Sequence, residues 1–177
     1  MQNIDPVDYT SSVSAGMMAL HKIRSNPGFI AMFTADQIKT MLNDIPLFSG
    51  SSDSTLAALA AVAQERDCEK GHVIYEPGEQ ALEMFVLVNG LVSFKTATGT
   101  GHLHVETLMK RHMIFGWAAL VPEHPKRLGS AKCMDNSKLL AINGDAAMEI
   151  LEADPKSGFL VMKRLCSMIA NTFIEKS

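Results

Sequence analysis

Three groups of residues in this 177-residue chain carry side chains suited to chemistry. The first is the run FGWAALVPEHPKRLGSA at residues 115–131. Phe115 ends an apolar alternation, and Gly116 lets the backbone come close to a ligand. The N–H groups that open the next turn, on Trp117, Ala118 and Ala119, carry partial positive charge. Arg127 follows a polar loop, and its planar fork can meet a phosphate with two hydrogen bonds. Leu128 and Gly129 lead from it into a strand of small residues. Together these are the candidate ligand-binding residues, and the ligand they suit is a small anion. A loop arginine beside a core-filling tryptophan is the plainer reading; an indole stacked on a bound base is the sharper one. The second group, His102-x-His104-x-Glu106, puts three metal-ligand types on one strand face. Its alternation with Leu103 and Val105 equally describes a solvated face. The third is Cys68, Cys133 and Cys166, far apart and odd in number. That pattern fits free thiols in a reducing compartment and argues against a disulfide framework. Cys68 with His72 could open a redox or haem site, but no second cluster supports it. No Ser/His/Asp, Cys/His or paired-carboxylate arrangement stands out, so an enzyme is not expected.

Composition narrows the classes further. Hydrophobic residues make up 47% and charged residues 20%, ordinary for a soluble globular domain, and a net charge of −3 implies no general polyanion-binding surface. No apolar run can span a membrane. The opening MQNIDPVDYT lacks the basic and apolar regions of a secretory signal, so a cytoplasmic location is expected. The twelve methionines read as core filler before they read as an adaptable binding face.

The elements that must position these groups follow from periodicity. Met17, Leu20 and Ile23 with Val13 make one helical face over residues 9–23. Asn26-Pro27-Gly28 breaks it. Thr34-Ala-Asp-Gln37 is a capping box that opens a second helix with Ile38, Met41 and Leu42 inward. Ser52 to Ser54 cap a third, with Leu56, Leu59, Ala60 and Ala63 buried. Past Glu65 the period changes to alternation. Short strands are expected at 72–75, 84–88, 91–94, 102–107, 130–133 and 138–142, with Asn89-Gly90 the strongest hairpin signal. Asn143 starts a helix that breaks at Asp154-Pro155. A longer helix then carries Phe159, Met162, Leu165, Cys166, Ile169, Ala170 and Phe173, enough for two seams. Many short strands with turns every eight to twelve residues predict an all-β barrel or jelly roll.

In order along the chain stand IPLFSG, KGHVIYEPGE, VNG after a buried strand, FGWAAL, NSKLLAI and LEADP. With these the chain resembles the cyclic nucleotide-binding domain family, which includes the catabolite activator and the regulatory subunits of cyclic nucleotide-dependent kinases. The resemblance implies a mainly β fold with flanking α: an eight-stranded, double-stranded β-helix jelly roll with N-terminal helices and a long C-terminal helix. It divides the chain into an N-terminal helical extension, residues 1–44, and the β-roll with its C-terminal helices, residues 45–177. The family's phosphate cassette falls on residues 115–131. By that match Arg127 pairs the phosphate, Trp117 replaces a glutamate that bonds the ribose 2′-hydroxyl, and Leu128 replaces a serine or threonine. Trp117 has no acceptor for that hydroxyl.

The resemblance therefore implies a regulatory module that binds a small-molecule effector such as cAMP or another cyclic nucleotide and signals through its helices. It implies no other cofactor, a homodimer through the last helix, and no direct DNA binding, since the family's transcription factors continue into a helix-turn-helix. Cys166, Ser167 and Asn171 could face a bound base. Two alternatives stay open: a degenerate, non-binding interaction module, and a metal enzyme whose His102, His104 and Glu106 have a faint likeness to the cupin motif.

Overall fold

The computed structural model describes residues 33–97, 104–121 and 126–174, all within one compact unit, Met32–Ser177. The helix expected over 9–23, the turn at Asn26, the loop at 98–101 and His102 lie outside the described residues.

Helix α1 (Ala35–Asp44) starts at the expected capping box: Gln37 N donates to Thr34 Oγ1 at 3.2 Å and Thr34 N to Gln37 Oε1 at 2.8 Å. Helix α2 (Asp53–Val62) is capped by Ser52. Eight strands follow among the described residues: β1 (Gln64–Cys68), β2 (Val73–Tyr75), β3 (Glu83–Asn89), β4 (Val92–Ala97), β5 (His104–Met109), β6 (Ile114–Phe115), β7 (Gly129–Cys133) and β8 (Ser137–Asn143). A single 3-10 turn, Trp117–Leu120, lies between β6 and β7, and helices α3 (Gly144–Ala153) and α4 (Pro155–Ile174) come last. The strands form two antiparallel four-stranded sheets, ordered β1-β8-β3-β6 and β2-β7-β4-β5. This is the jelly roll with flanking helices. No helix among the described residues is long and apolar enough to cross a membrane.

Strands β3 and β8 are buried on both faces, which is why they read as unbroken apolar runs. Met84, Val86, Leu140 and Ile142 face a cluster shared with the helical residues Leu42, Leu59, Leu151 and Leu165. The alternate residues Phe85, Leu87, Leu139 and Ala141 face the space between the sheets, with Tyr75, Val92, Phe115, Ala131 and Cys133. On α4, Val161 and Leu165 are buried while Phe159 is 72% exposed and Cys166 and Ala170 are exposed, so the helix has an inward seam and an outward one.

Two local expectations are corrected. Asn89-Gly90 does not join a hairpin, because β3 pairs with β6 and β8 while β4 pairs with β5 and β7 of the other sheet. The chain crosses between sheets there. Gly90 has φ 98°, and a Cβ on it would lie 2.4 Å from Ser137 Oγ. The same left-handed backbone that closes a hairpin here serves a crossing under the 135–137 loop. Second, residues 64–68 form β1, which the polar string QERDC hides. The strand is held by its register on β8, with Lys138 between Glu65 at 3.2 Å and Asp67 at 3.0 Å.

The break between α3 and α4 is a polar clasp. Asp154 accepts from Ser52 Oγ at 2.6 Å, Thr55 Oγ1 at 2.7 Å and Ser157 Oγ at 2.7 Å, tying the start of α2 to the start of α4. The hydroxyl of Ser52 first, then those of Ser157 and Thr55, hold its carboxyl well below the usual carboxylate range. A folded-state pKa that is lowered gives stability present above the unfolded value, about 3.9, and lost as pH falls toward the folded value. Asp154→Asn is therefore expected to lower the urea midpoint at pH 7, with the gap to wild type closing as pH drops below about 4. Gly90→Ala is expected to cost about 1–3 kcal/mol through its left-handed backbone and the Ser137 contact, read from the same urea curves.

Candidate anion-binding site

The cassette turn and the arginine meet at one end of the inter-sheet cluster. Phe115 is buried in β6 with its ring centroid 5.3 Å from that of Phe85, and the Tyr75 ring lies 6.1 Å from Phe85. Arg127 closes this aromatic group. Its Cζ stands 4.2 Å from the Tyr75 centroid and 5.6 Å from that of Phe85. Nη1 donates to Gly116 O at 3.1 Å and Nη2 to Glu83 O at 2.7 Å. The backbone on either side is fixed, with Arg127 N donating to Glu79 O at 2.8 Å and Gly78 N donating to Arg127 O at 2.9 Å.

Only 6% of Arg127 is exposed. Burial pulls its pKa below the ordinary value, opposed by Tyr75, Glu83 and Glu79, and a guanidinium in such a place stays charged. Burial also pushes the Tyr75 phenol up to about 12, so it is neutral at physiological pH. The guanidinium carries more N–H donors than the two carbonyls use, and its buried Nε has no hydrogen-bond partner among the described residues.

Gly116 has φ 73°, and a Cβ there would lie 2.8 Å from Arg127 Nη1 and 3.2 Å from Glu83 O. Only glycine lets the turn and the guanidinium come this close. In the turn that follows, Ala119 N donates to Gly116 O at 3.2 Å, while the N–H groups of Trp117 and Ala118 have no acceptor among the described residues. The half-buried Trp117 packs on the helical cluster and not on the aromatic group beneath Arg127. Leu128 is 65% exposed, and its carbonyl accepts from Thr96 Oγ1 at 3.2 Å. Gly129 is pressed against β4, where a Cβ would lie 2.2 Å from Lys95 O. Gly116 and Arg127 are thus brought together directly. Phe115 lies beneath them, Trp117 turns toward the helices and Leu128 toward solvent.

Sequence reasoning missed Tyr75 and the Glu83 carbonyl. Tyr75 falls in the strand expected at 72–75 with nothing in the sequence to single out its ring, and no side-chain pattern marks a carbonyl as a partner. Ser167 and Asn171 on α4 are exposed. Of the histidine-rich strand, Glu106 accepts from Ser93 Oγ at 2.5 Å and pairs with Lys95 at 3.6 Å. Among the described residues no group of three His, Cys, Asp or Glu could hold a metal ion.

The turn also touches the C-terminal helices. A Cβ on Gly144, the first residue of α3, would lie 2.1 Å from Ala119 O, so α3 rests directly on the cassette. Gly144 N donates to Leu82 O at 2.9 Å.

Comparison with known proteins bears on this arrangement. The family model for the cyclic nucleotide-binding domain matches residues 65–154. The "Anaerobic regulatory protein" of Bacillus subtilis (strain 168) is 27% identical over 85 residues, 48% of this chain and 36% of that protein. A "CRP-like cAMP-activated global transcriptional regulator" of Mycobacterium tuberculosis is 22% identical over 126 residues, 71% of this chain and 56% of that protein. The chain thus spans between about a third and just over half of these relatives. Among solved structures, the sensor domain of the transcriptional regulator DNR from Pseudomonas aeruginosa superposes with TM-score 0.66 at 19% identity, over 80% of this chain and 94% of that one. The regulatory domain of Toxoplasma gondii PKA with cAMP gives TM-score 0.64 at 16% identity, over 75% of this chain and 50% of that one. At these identities the superpositions establish the fold.

Arg127→Lys keeps the charge but loses the fork, leaving one of the two carbonyls without its donor. It is expected to destabilise the protein by about 1–3 kcal/mol in urea unfolding at neutral pH.

Proposed function

We propose that this chain, which belongs to the cyclic nucleotide-binding domain family, is a regulatory module that senses a small anion such as a cyclic nucleotide between Arg127 and the Gly116 turn. The observation that carries this reading is the direction of Arg127: its fork reaches the Gly116 carbonyl, and its Nε has no acceptor among the described residues. An anionic oxygen at the turn would give a partner to that donor and to the N–H groups of Trp117 and Ala118, which have no acceptor among the described residues. Phe115 lies beneath the same site, Ala119 continues its turn, and Leu128 and Gly129 carry the chain from it into β7.

Signalling follows from packing. The cassette turn supports the first residue of α3, and α3 joins α4 at the Asp154 clasp. A ligand that draws the turn toward Arg127 shifts what α3 rests on, and it does so to the extent that it binds the two arrangements differently. The module acts by binding and not by catalysis, within the cytoplasm. The outward seam of α4, with Phe159, Cys166 and Ala170, is where a second copy would pair.

A second reading has its own support. Two Arg127 donors are already engaged by backbone carbonyls and the guanidinium face by Tyr75, which also describes an internal strut in a module that binds no ligand. Calorimetric titration separates the two. cAMP, cGMP and cyclic dinucleotides are titrated into the wild type and into Arg127→Gln, with circular dichroism confirming that the variant is folded. At least one nucleotide is expected to bind wild type and to lose about tenfold or more in affinity on Arg127→Gln. Trp117 offers no acceptor, so the 2′-deoxy form of that ligand should bind within about threefold of the parent. Negligible heats for every nucleotide with folded wild type would establish the strut reading.

A further inference from the structure

Two thiols that are distant in sequence meet where the sheets come together. Cys68 is the last residue of β1 and Cys133 the last of β7, strands that belong to different sheets. Cys133 is fully buried in the inter-sheet cluster, and the half-buried Cys68 packs against that cluster. The backbone enforces the meeting. The loop after Cys68 folds back so that Gly71 N donates to Cys133 O at 2.8 Å and Cys133 N donates to His72 O at 2.8 Å. Register on β8 puts Cys68 opposite Ser137, so both thiols lie at the same end of the inter-sheet cluster. Both cysteines are free thiols.

We propose that Cys68 and Cys133 are a redox-active dithiol, which a hydroperoxide converts reversibly into an intramolecular disulfide that joins the two sheets. Cys68 has solvent access and reacts first. Its sulfur attacks one peroxide oxygen, the O–O bond breaks, and the thiol proton leaves with the other oxygen as water or an alcohol, giving Cys68 sulfenic acid. The Cys133 thiolate then attacks the Cys68 sulfur. An S–S bond forms, the S–O bond breaks, and the departing hydroxide takes up the proton that Cys133 has released, as water. In total the two thiols lose two hydrogens and two electrons, and the hydroperoxide gains them.

Hydrogen bonds from Cys68 and Ser137 pull the Cys133 thiol below its ordinary value against the effect of burial, which favours Cys133 as the thiolate of the pair. Its bond to Cys133 and its burial push the Cys68 thiol up, which makes the first step slow and keeps sulfenic acid from accumulating. The disulfide would fix the far end of β7, the strand that begins just after Arg127.

The test uses the full chain carrying Cys166→Ser, which removes the exposed thiol and with it pairing between molecules. Protein treated with hydrogen peroxide is denatured, alkylated and digested for mass spectrometry. Expected is a linked peptide pair containing Cys68 and Cys133, lighter by two hydrogens than the separate peptides, with full loss of alkylation at both sites and recovery after dithiothreitol. In the further variant Cys68→Ser, at a half-buried position, Cys133 is expected to stay reduced under the same dose. Alkylation of both cysteines after peroxide would overturn the proposal. So would Cys68 carried on to sulfinic acid while Cys133 remains alkylated, or oxidation of Cys133 at an undiminished rate without Cys68.

Discussion

A guanidinium closed away from water is the constraint around which this protein is arranged. Burying such a charge costs several kcal/mol unless its donors and its faces find partners. Arg127 finds them in the Gly116 carbonyl, the Glu83 carbonyl and the face of Tyr75. Those partners sit on or beside β6, β3 and β2, and Arg127 itself leads into β7. Strands β3 and β6 belong to one sheet and β2 and β7 to the other. One side chain therefore ties both sheets together at the end where the cassette turn lies. That turn needs glycine because its backbone is left-handed and the guanidinium leaves no room for a Cβ.

From there the contacts run outward without a gap. The turn carries Ala119, Ala119 supports Gly144, and α3 runs from Gly144 to the Asp154 clasp. The clasp collects hydroxyls from α2 and α4 onto one carboxylate. Packing of this kind has few intermediate arrangements, so under the proposed function a small displacement of the turn would be passed on as a shift of the helix that rests on it.

Much of the fold was legible because the strongest sequence signals coincide with strong physical constraints. The Thr34 capping box, the Ser52 and Asn143 caps and the Asp154-Pro155 break all formed as read. What was hidden depends on tertiary partners. Although the period changes past Glu65, QERDC holds Cys68 as its one apolar residue, and it becomes β1 because β8 offers a ladder and Lys138 neutralises its acids. Asn89-Gly90 specifies a left-handed backbone, but nothing local says whether the chain turns back or crosses to the other sheet. At the site, Arg127 and Gly116 could be paired from spacing and resemblance. Tyr75 could not, since its role is to present a ring face to a residue fifty-two positions later. The meeting of Cys68 with Cys133 was equally invisible, because sixty-five residues separate them and only the stacking of two sheets brings them together.

In the proposed function the spare donor of Arg127 and the open N–H groups of the following turn serve one anion together. Nitrogen-15 NMR of the folded chain, titrated with the same cyclic nucleotides, reads each of those groups directly. The expected result is that the Arg127 Nε–H and the Trp117 and Ala118 amide signals move together along one binding curve, with Gly144 following. Unmoved signals at Arg127 and the turn, in a protein that stays folded through the titration, would contradict it and leave the guanidinium as a strut between two sheets.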